Sequence, residues 1–325
     1  MTSKFDPSLM DIRIRHRAYQ DSFDEMLSAV KLARHQTGAI IPLLGPTRCG
    51  KTDLLHDLQD ALKRTTQGPG KTVPSPNFGL ETIPAKPNDL DLYRTMLRSF
   101  GYSYGPRERI GDLRTRLIQN VHDEGLEIIA LDECNHCAET GANLSARATG
   151  DHFKRLIDDA GVILILAGLP KFQKIIDENE QFRERSLKTI HILPYSWSSE
   201  DDRVAYSEAV FSIFDLLDQC DVKIDFDDEE MAVRLYGLSG GRVGQVLRIL
   251  KGASAVMKDN VMTFQDVVRA ARQLVQDQAM PEWFLQPELP TDTQLARSYV
   301  AVMHEAGLPV EPITVGDLEA VGATG

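Results

Sequence analysis

The run Gly45-Pro46-Thr47-Arg48-Cys49-Gly50-Lys51-Thr52 constrains this chain more than any other stretch, because it fits G-x-x-x-x-G-K-[ST] without a gap. The apolar run Ile40-Ile41-Pro42-Leu43-Leu44 before it predicts a short buried strand, and Asp53–Leu62 after it carries apolar residues at helical spacing. Strand, glycine-framed loop and helix N-terminus together make an anion cradle. Backbone N–H groups and the helix dipole meet phosphates, Lys51 reaches the β- and γ-oxygens, and the Thr52 hydroxyl can ligate Mg²⁺. The expected ligand of all eight residues is a nucleoside triphosphate. A glycine turn with an incidental lysine would need neither the strand before it nor the helix after it.

A second segment supplies what hydrolysis needs. Leu126-Glu127-Ile128-Ile129-Ala130-Leu131-Asp132-Glu133 predicts a strand ending in two carboxylates. Mg²⁺ takes hard oxygen ligands, often through water, and Asp132 is placed to supply one. Glu133 can orient and polarise the water that attacks the γ-phosphate. The pair favours hydrolysis over transfer to another acceptor; the bland alternative is polar decoration of a strand end. Asn135 and His136 follow at once and are candidates for sensing the γ-phosphate. Cys134 and Cys137 form a C-x-x-C, but zinc would need two further ligands, and no second Cys/His pair has matching spacing.

Composition narrows the class. The 325 residues are 42% hydrophobic, enough for one large or two modest domains. No apolar run approaches the ~20 residues of a membrane span. The first six residues lack the hydrophobic centre of a signal peptide, so the expectation is a cytoplasmic chain without a membrane partner. Four cysteines do not make a disulfide framework in a chain of this size. A net charge of −12, from 48 acidic and 36 basic residues, argues against a polycation that coats nucleic acid. Residues 86–116 nevertheless hold seven basic against four acidic side chains, whereas residues 281–325 hold seven carboxylates and one arginine, Arg297. Any contact with nucleic acid must therefore be local. The acidic run from Asp225 to Glu230 is most simply a solvated helix N-terminus.

The pattern divides into four parts: an arm and helix over 1–36, an α/β nucleotide-binding domain over 37–193, a helical lid over 194–280, and a flexible, acidic, proline-containing tail over 281–325. Strands are expected at Ile40–Leu44, Leu80–Ile83, Glu127–Leu131, Val162–Ala167 and Thr189–Leu193. Helices between them imply a parallel sheet covered on both faces. Residues 67–87, rich in proline and glycine, predict a loop or broken edge. After Pro194 only helices are expected, at Ser199–Leu217, Asp227–Leu238, Arg242–Met257 and Thr263–Leu274, with Ser199 and Thr263 as N-caps. A short helix near Thr293–Glu305 is the one element foreseen in the tail. Arg183 and Arg185 precede the last core strand. An arginine there can enter a neighbouring subunit's site and neutralise transition-state charge; the alternative is a surface ion pair at a helix end.

The order of these parts resembles an AAA+ ATPase. More narrowly, Gly45–Thr52, Ile83–Tyr93 with Leu97 and Gly101, Gly111–Leu113, Ile129–Glu133, Gly161–Gly168 and Glu180–Arg185 resemble the TniB/TnsC family, relatives of MuB. The resemblance spans about residues 15–275 and implies an AAA+ P-loop NTPase fold: a parallel sheet followed by an all-helical lid. It further implies an ATPase using ATP and Mg²⁺ that assembles with itself into rings or filaments on double-stranded DNA. Such an assembly recruits a transposase, works with a target-selection factor of TniQ type, and comes apart as ATP is hydrolysed. In this family the loops before two inserted helices face DNA, which carries over to Lys86 and Asn88 in one loop and Arg107 and Arg109 in the other. Phosphate contacts from lysine, arginine and helix N-termini fit that role, and a solvated basic turn is the plain alternative. Arg13, Arg15 and Arg17 could add contacts.

Two departures from the family pattern bear on turnover. Leu169 stands where relatives often place a phosphate-sensing threonine. The lid's sensing arginine falls near Gly244-Gln245, with Arg242 and Arg248 flanking, so Gln245 is the residue left for that role. Slow hydrolysis is the expectation, and it would suit a switch that persists on DNA. Three other readings share the loop: a replication initiator or helicase loader of the same fold, a P-loop small-molecule kinase, and a signalling ATPase. The carboxylate pair and a helical second domain argue against the kinase.

Overall fold

The computed structural model describes residues 13–36, 38–68, 71–75, 77–139, 143, 146–275 and 282–310. Their contacts divide into two units: residues 21–45 with 51–192, the sheet unit, and residues up to 20 with 46–50 and everything from 193 on, the helical unit.

In chain order the first half holds α1 (Arg17–Ala33), β1 (Ala39–Leu44), α2 (Lys51–Leu62), β2 (Arg64–Gly68), β3 (Lys71–Ser75), β4 (Phe78–Thr82), α3 (Asp89–Ser99) and α4 (Ile110–Glu124). Then come β5 (Ile128–Asp132), a 3-10 turn at Cys134–Ala138, α5 (Ala146–Ala160), β6 (Ile163–Gly168), α6 (Gln173–Glu178), α7 (Glu180–Glu184) and β7 (Ile190–His191). Five strands form one sheet in the order β4-β5-β6-β1-β7, every pair parallel. β1, β5 and β6 are buried along their whole length, which is why they appear in the sequence as unbroken apolar runs rather than alternations. Pro42 lies inside β1, where a missing N–H would ordinarily break a ladder. It is tolerated because the β7 side of β1 is interrupted there: a bridge joins Ile40 to Ser186, and β7 pairing begins only at Leu43. The other side pairs with β6 through Pro42↔Leu166.

α3 and α4 pack on each other and on the sheet through Leu92, Tyr93, Met96, Leu97, Leu113, Leu117 and Val121, all in the core of the sheet unit. Asn88 caps α3: its Oδ1 accepts from Asp91 N–H at 3.0 Å while Asp91 accepts from Asn88 N–H at 3.1 Å. Two expectations change here. The segment foreseen as a loop or broken edge over 67–87 contains most of an antiparallel hairpin, β2–β3, and the strand foreseen at Leu80–Ile83 lies at β4, Phe78–Thr82. The last core strand shrinks from Thr189–Leu193 to Ile190–His191, since it has only the last two residues of β1 to pair with.

The helical unit holds α8 (Glu200–Gln219), β8 (Lys223–Asp225), α9 (Asp228–Ser239), α10 (Val243–Val256), β9 (Val261–Thr263), α11 (Phe264–Leu274) and α12 (Asp292–Glu305). Ser199 and Thr263 cap α8 and α11, each accepting a backbone N–H three residues on. The expectation of an all-helical lid is corrected by β8 and β9, which pair in parallel over three residues each. Runs so short give no readable alternation. The tail expectation is corrected over residues 282–310. Phe284 is fully buried in the unit's core, and the Arg234 guanidinium donates to the carbonyls of Gln286, Pro287 (2.6 Å) and Glu288 (3.3 Å). Trp197 Nε1 donates to Asp292 at 2.9 Å, and Thr291 and Gln294 form a capping box at the start of α12. Residues 276–281 and 311–325 lie outside the described residues.

His16 ties the N-terminal segment to this same unit. Its Nδ1 lies 2.9 Å from Tyr195 Oη, which also accepts from Ala18 N–H at 2.9 Å, and Tyr19 N–H points at the same ring nitrogen. Nδ1 is therefore an acceptor and the ring is neutral. Burial pulls the His16 pKa from 6.5 down to about 4. The unfolded chain takes up this proton near pH 6.5 and the folded chain only near 4, so the linked stability is complete above pH 6.5 and is lost as pH falls through that window. We expect up to about 3 kcal/mol from this group. Thermal melts at pH 7.5 and 4.5, for wild type and His16→Gln, check it: the wild type should lose distinctly more stability on acidification than the variant.

Candidate nucleotide site

Because β6 lies between β1 and β5, the C-terminal ends of three buried strands open on one side of the sheet. Leu44 pairs with Gly168 and Leu131 with Leu166, so the residues that follow each strand are brought together. This is where ligands bind in open parallel sheets.

Gly45 begins the phosphate loop. Its N–H donates to Gly168 O at 3.2 Å, and an added Cβ would stand 2.3 Å from Ile192 O, so no side chain fits. Further along the loop Arg48 and Gly50 adopt left-handed backbone, φ 66° and 93°. Lys51 opens α2, and its buried ammonium donates to Gly45 O at 2.8 Å. A triphosphate would offer that ammonium anionic oxygens in place of a neutral carbonyl, adding charge–charge attraction to a bond that is already charge-assisted.

Thr52 Oγ1 donates to Asp132 Oδ2 at 2.6 Å, and Asp132 Oδ1 accepts from Glu133 N–H at 2.8 Å. Asp132 is 4% exposed, with both oxygens fixed. A hydroxyl and a carboxylate so close form a hard oxygen pair that fits Mg²⁺, an ion that takes its other ligands from water and phosphate. Among the described residues no cluster of three or more His, Cys, Asp and Glu side chains offers an all-protein metal cage. Glu133 sits beyond the strand in left-handed backbone, φ 57° and ψ 36°, a conformation that is unfavourable for a side chain of its size. Its carboxylate has no hydrogen bond or ion pair among the described residues, which leaves it able to hold water.

Asn135 is 2% exposed, and its Oδ1 accepts from Leu169 N–H at 3.1 Å, joining the ends of β5 and β6. The amide nitrogen is not used in that bond. His136 is committed through Nδ1 to Glu139 at 3.0 Å, and Glu139 also lies 3.5 Å from Lys171. Cys134 and Cys137 are buried in the core, and burial drives the Cys134 thiol well up and the Cys137 thiol to about 12. Both stay protonated, a poor state for binding zinc.

In the helical unit, Gln245 is 5% exposed near the start of α10. A Cβ on Gly244 would lie 2.5 Å from Arg48 O, so the family's arginine could not occupy that position unchanged. Arg242 reaches the loop instead, its Nη1 lying 3.5 Å from Thr47 Oγ1 while Nε donates to Ser239 O at 2.7 Å. Burial lowers its pKa, as for a cation short of counter-charge. The sequence marked Arg242 only as a flanking residue, and nothing local to it signals the approach to Thr47, 195 positions away.

Arg185 ends α7 with its Nε and Nη2 on the two oxygens of Asp158, at 2.7 and 3.2 Å. Arg183 is exposed and donates to Asp177 O. Of the seven cations over 86–116, four are engaged inside the sheet unit. Arg94 lies over the Tyr104 ring, Arg98 pairs with Glu81, Arg114 with Asp159 and Arg116 with Glu108. The other three, Lys86, Arg107 and Arg109, are exposed, with no ion pair among the described residues. They precede α3 and α4.

The description "Bacterial TniB protein" belongs to the family model that matches residues 10–195, more than half of the chain. The chain belongs to the TniB family. Its matched stretch contains the phosphate loop, both strand-end carboxylates, the three free cations and Arg185. No curated protein sequence matches it. Among solved structures it is similar to Cdc6p from Pyrobaculum aerophilum, with TM-score 0.59 and 15% identity over 98% of this chain and 88% of that one. It is also similar to the Aeropyrum pernix ORC2 protein, solved with ADPNP and ADP, with TM-score 0.55 and 15% identity over 96% and 86%. A Walker-type ATPase of Pyrococcus abyssi follows, with TM-score 0.53 and 14% identity over 97% and 93%. The fold of this TniB-family chain is that of an AAA+ P-loop NTPase. No helix among its described residues is long and apolar enough to cross a membrane.

Proposed function

We propose that this TniB-family chain is a slow ATPase that uses MgATP to assemble on double-stranded DNA and there recruits a transposase. Hydrolysis then drives disassembly, and a target-selection factor of TniQ type directs the site. The observation that carries the reading is the hydroxyl–carboxylate pair Thr52–Asp132, with the uncommitted Glu133 next to it and Lys51 one residue before Thr52. In this reading Lys51 binds phosphate, Thr52 and Asp132 would hold the metal, and Glu133 activates water. Asn135 is the candidate γ-phosphate sensor on the sheet side; His136 and Gln245 are candidates of lesser reach. Co-sedimentation with duplex DNA tests the reading: retention is expected with a non-hydrolysable ATP analogue and not with ADP, and equal retention in both states contradicts it.

Lys86, Asn88, Arg107 and Arg109 are the proposed DNA-facing residues. Asn88 would act through the helix N-terminus it caps, the other three through charge. Arg107→Ala with Arg109→Ala should weaken DNA binding on the order of 10-fold at moderate salt, whatever the sequence. It should also reduce the slope of log affinity against log salt by about two. Anisotropy titrations from 50 to 200 mM salt, roughly the range over which such contacts are screened, give both numbers. A replication initiator or helicase loader is the second reading, supported by the fold likeness to Cdc6p and ORC2. Capture of a replicative helicase rather than a transposase would favour it.

A further inference from the structure

We propose that Asp158 is the positioning residue for Arg185, holding it ready for the triphosphate of a second copy of this chain. The inference rests on the trans-acting role expected of Arg185 from its place before the last core strand. A guanidinium has five N–H donors. Nε and Nη2 each give one to Asp158, and Nη1 gives one to Gln181 O at 2.9 Å. Two N–H groups remain, on a side chain 28% exposed. Here the carboxylate grips the Nε edge, in the bidentate geometry that fixes both distance and plane.

The surroundings are equally fixed. The Arg185 carbonyl accepts from Ile40 N–H at 2.9 Å, which anchors the residue's backbone to β1. Phe182, three residues earlier, is fully buried, and Asn179 caps α7 by accepting from Phe182 N–H at 3.1 Å. Lys154, on the same helix as Asp158, donates to the side chain of Gln181, whose carbonyl holds Nη1. Asp159 is not a substitute for its neighbour, because it is paired with Arg114 of α4. The side chains of Asp158 and Arg185 are 40% and 28% exposed, and such surface pairs contribute at most about 1 kcal/mol to stability. A pair so well formed and so weakly stabilising is better explained by what it aims than by what it holds together. A phosphate of a neighbouring copy, bridging the two remaining N–H groups, is the anion that geometry suits.

The test measures steady-state ATP turnover of the full chain on duplex DNA for Arg185→Ala, Asp158→Asn, Asp158→Glu and the double variant Asp158→Asn/Arg185→Ala. Asp158→Asn should lower kcat on the order of 10-fold, with KM for ATP and melting temperature unchanged. Asp158→Glu should recover most of the loss, and the double variant should be no slower than Arg185→Ala alone. If Arg185→Ala is slow and Asp158→Asn turns over like wild type, the positioning role is overturned while the trans-acting arginine stands. If Arg185→Ala itself turns over like wild type, the arginine reading fails and the role of Asp158 with it.

Discussion

Glu133→Gln should lower ATP turnover by roughly 100-fold or more, the usual worth of a positioned general base, while leaving ATP and DNA bound. The substitution keeps the volume and the hydrogen-bonding length of the side chain but removes the charge that polarises water. Nothing else depends on that carboxylate: among the described residues it makes no ion pair, and the strained backbone at φ 57° is unchanged by the swap. Asp132 and Thr52 keep their bond, so the metal pair survives. The proposed assembled state, which hydrolysis would end, should then persist longer than in the wild type. Two measurements on one preparation check this: phosphate release under excess ATP, and dissociation of labelled DNA after dilution. Slow release together with slow dissociation is expected. Wild-type phosphate release would mean that another group activates the water.

Lys51→Ala acts earlier. The ammonium is buried and bonded to Gly45 O, and it is the charge proposed to meet the β- and γ-phosphates. Removing it should weaken ATP binding on the order of 100-fold, as expected for the loss of charge-assisted bonds each worth about 1.5–3 kcal/mol. DNA retention should then be the same with the ATP analogue, with ADP and without nucleotide. Gly45 is buried, so the substitution leaves its carbonyl without the ammonium in a place shielded from water; a melting temperature in the absence of nucleotide separates any such cost from the loss of nucleotide binding. Equilibrium binding of a fluorescent ATP analogue gives the affinity directly. The two variants separate occupancy from turnover: one prevents the assembled state, the other prolongs it.

Much of the sheet unit was legible because its signals are local and redundant. β1, β5 and β6 are apolar runs bounded by functional residues, and burial on both faces is what makes such runs continuous. The phosphate loop was legible because glycine is obligatory where Ile192 O lies against Gly45. Ser199 and Thr263 announced themselves through capping chemistry. Contacts between distant residues were not legible. Nothing in the sequence pairs Arg185 with Asp158, 27 positions away, or Arg234 with the carbonyls more than 50 residues on. The β8–β9 pair was missed because three residues are too few to show a period. The post-lid segment was read as a tail because its prolines and carboxylates outweigh Phe284, one aromatic residue whose burial decides the matter. Lys86, Arg107 and Arg109 were named from the resemblance alone, and the structure adds that the four neighbouring arginines have partners within the sheet unit.

Electron micrographs of the purified chain with plasmid DNA test most directly whether nucleotide occupancy builds an assembly on the duplex. With Mg²⁺ and a non-hydrolysable ATP analogue, ordered rings or filaments should cover the DNA, and with ADP the DNA should be bare. Isolated single subunits in both conditions, with the DNA bare in each, would contradict the account.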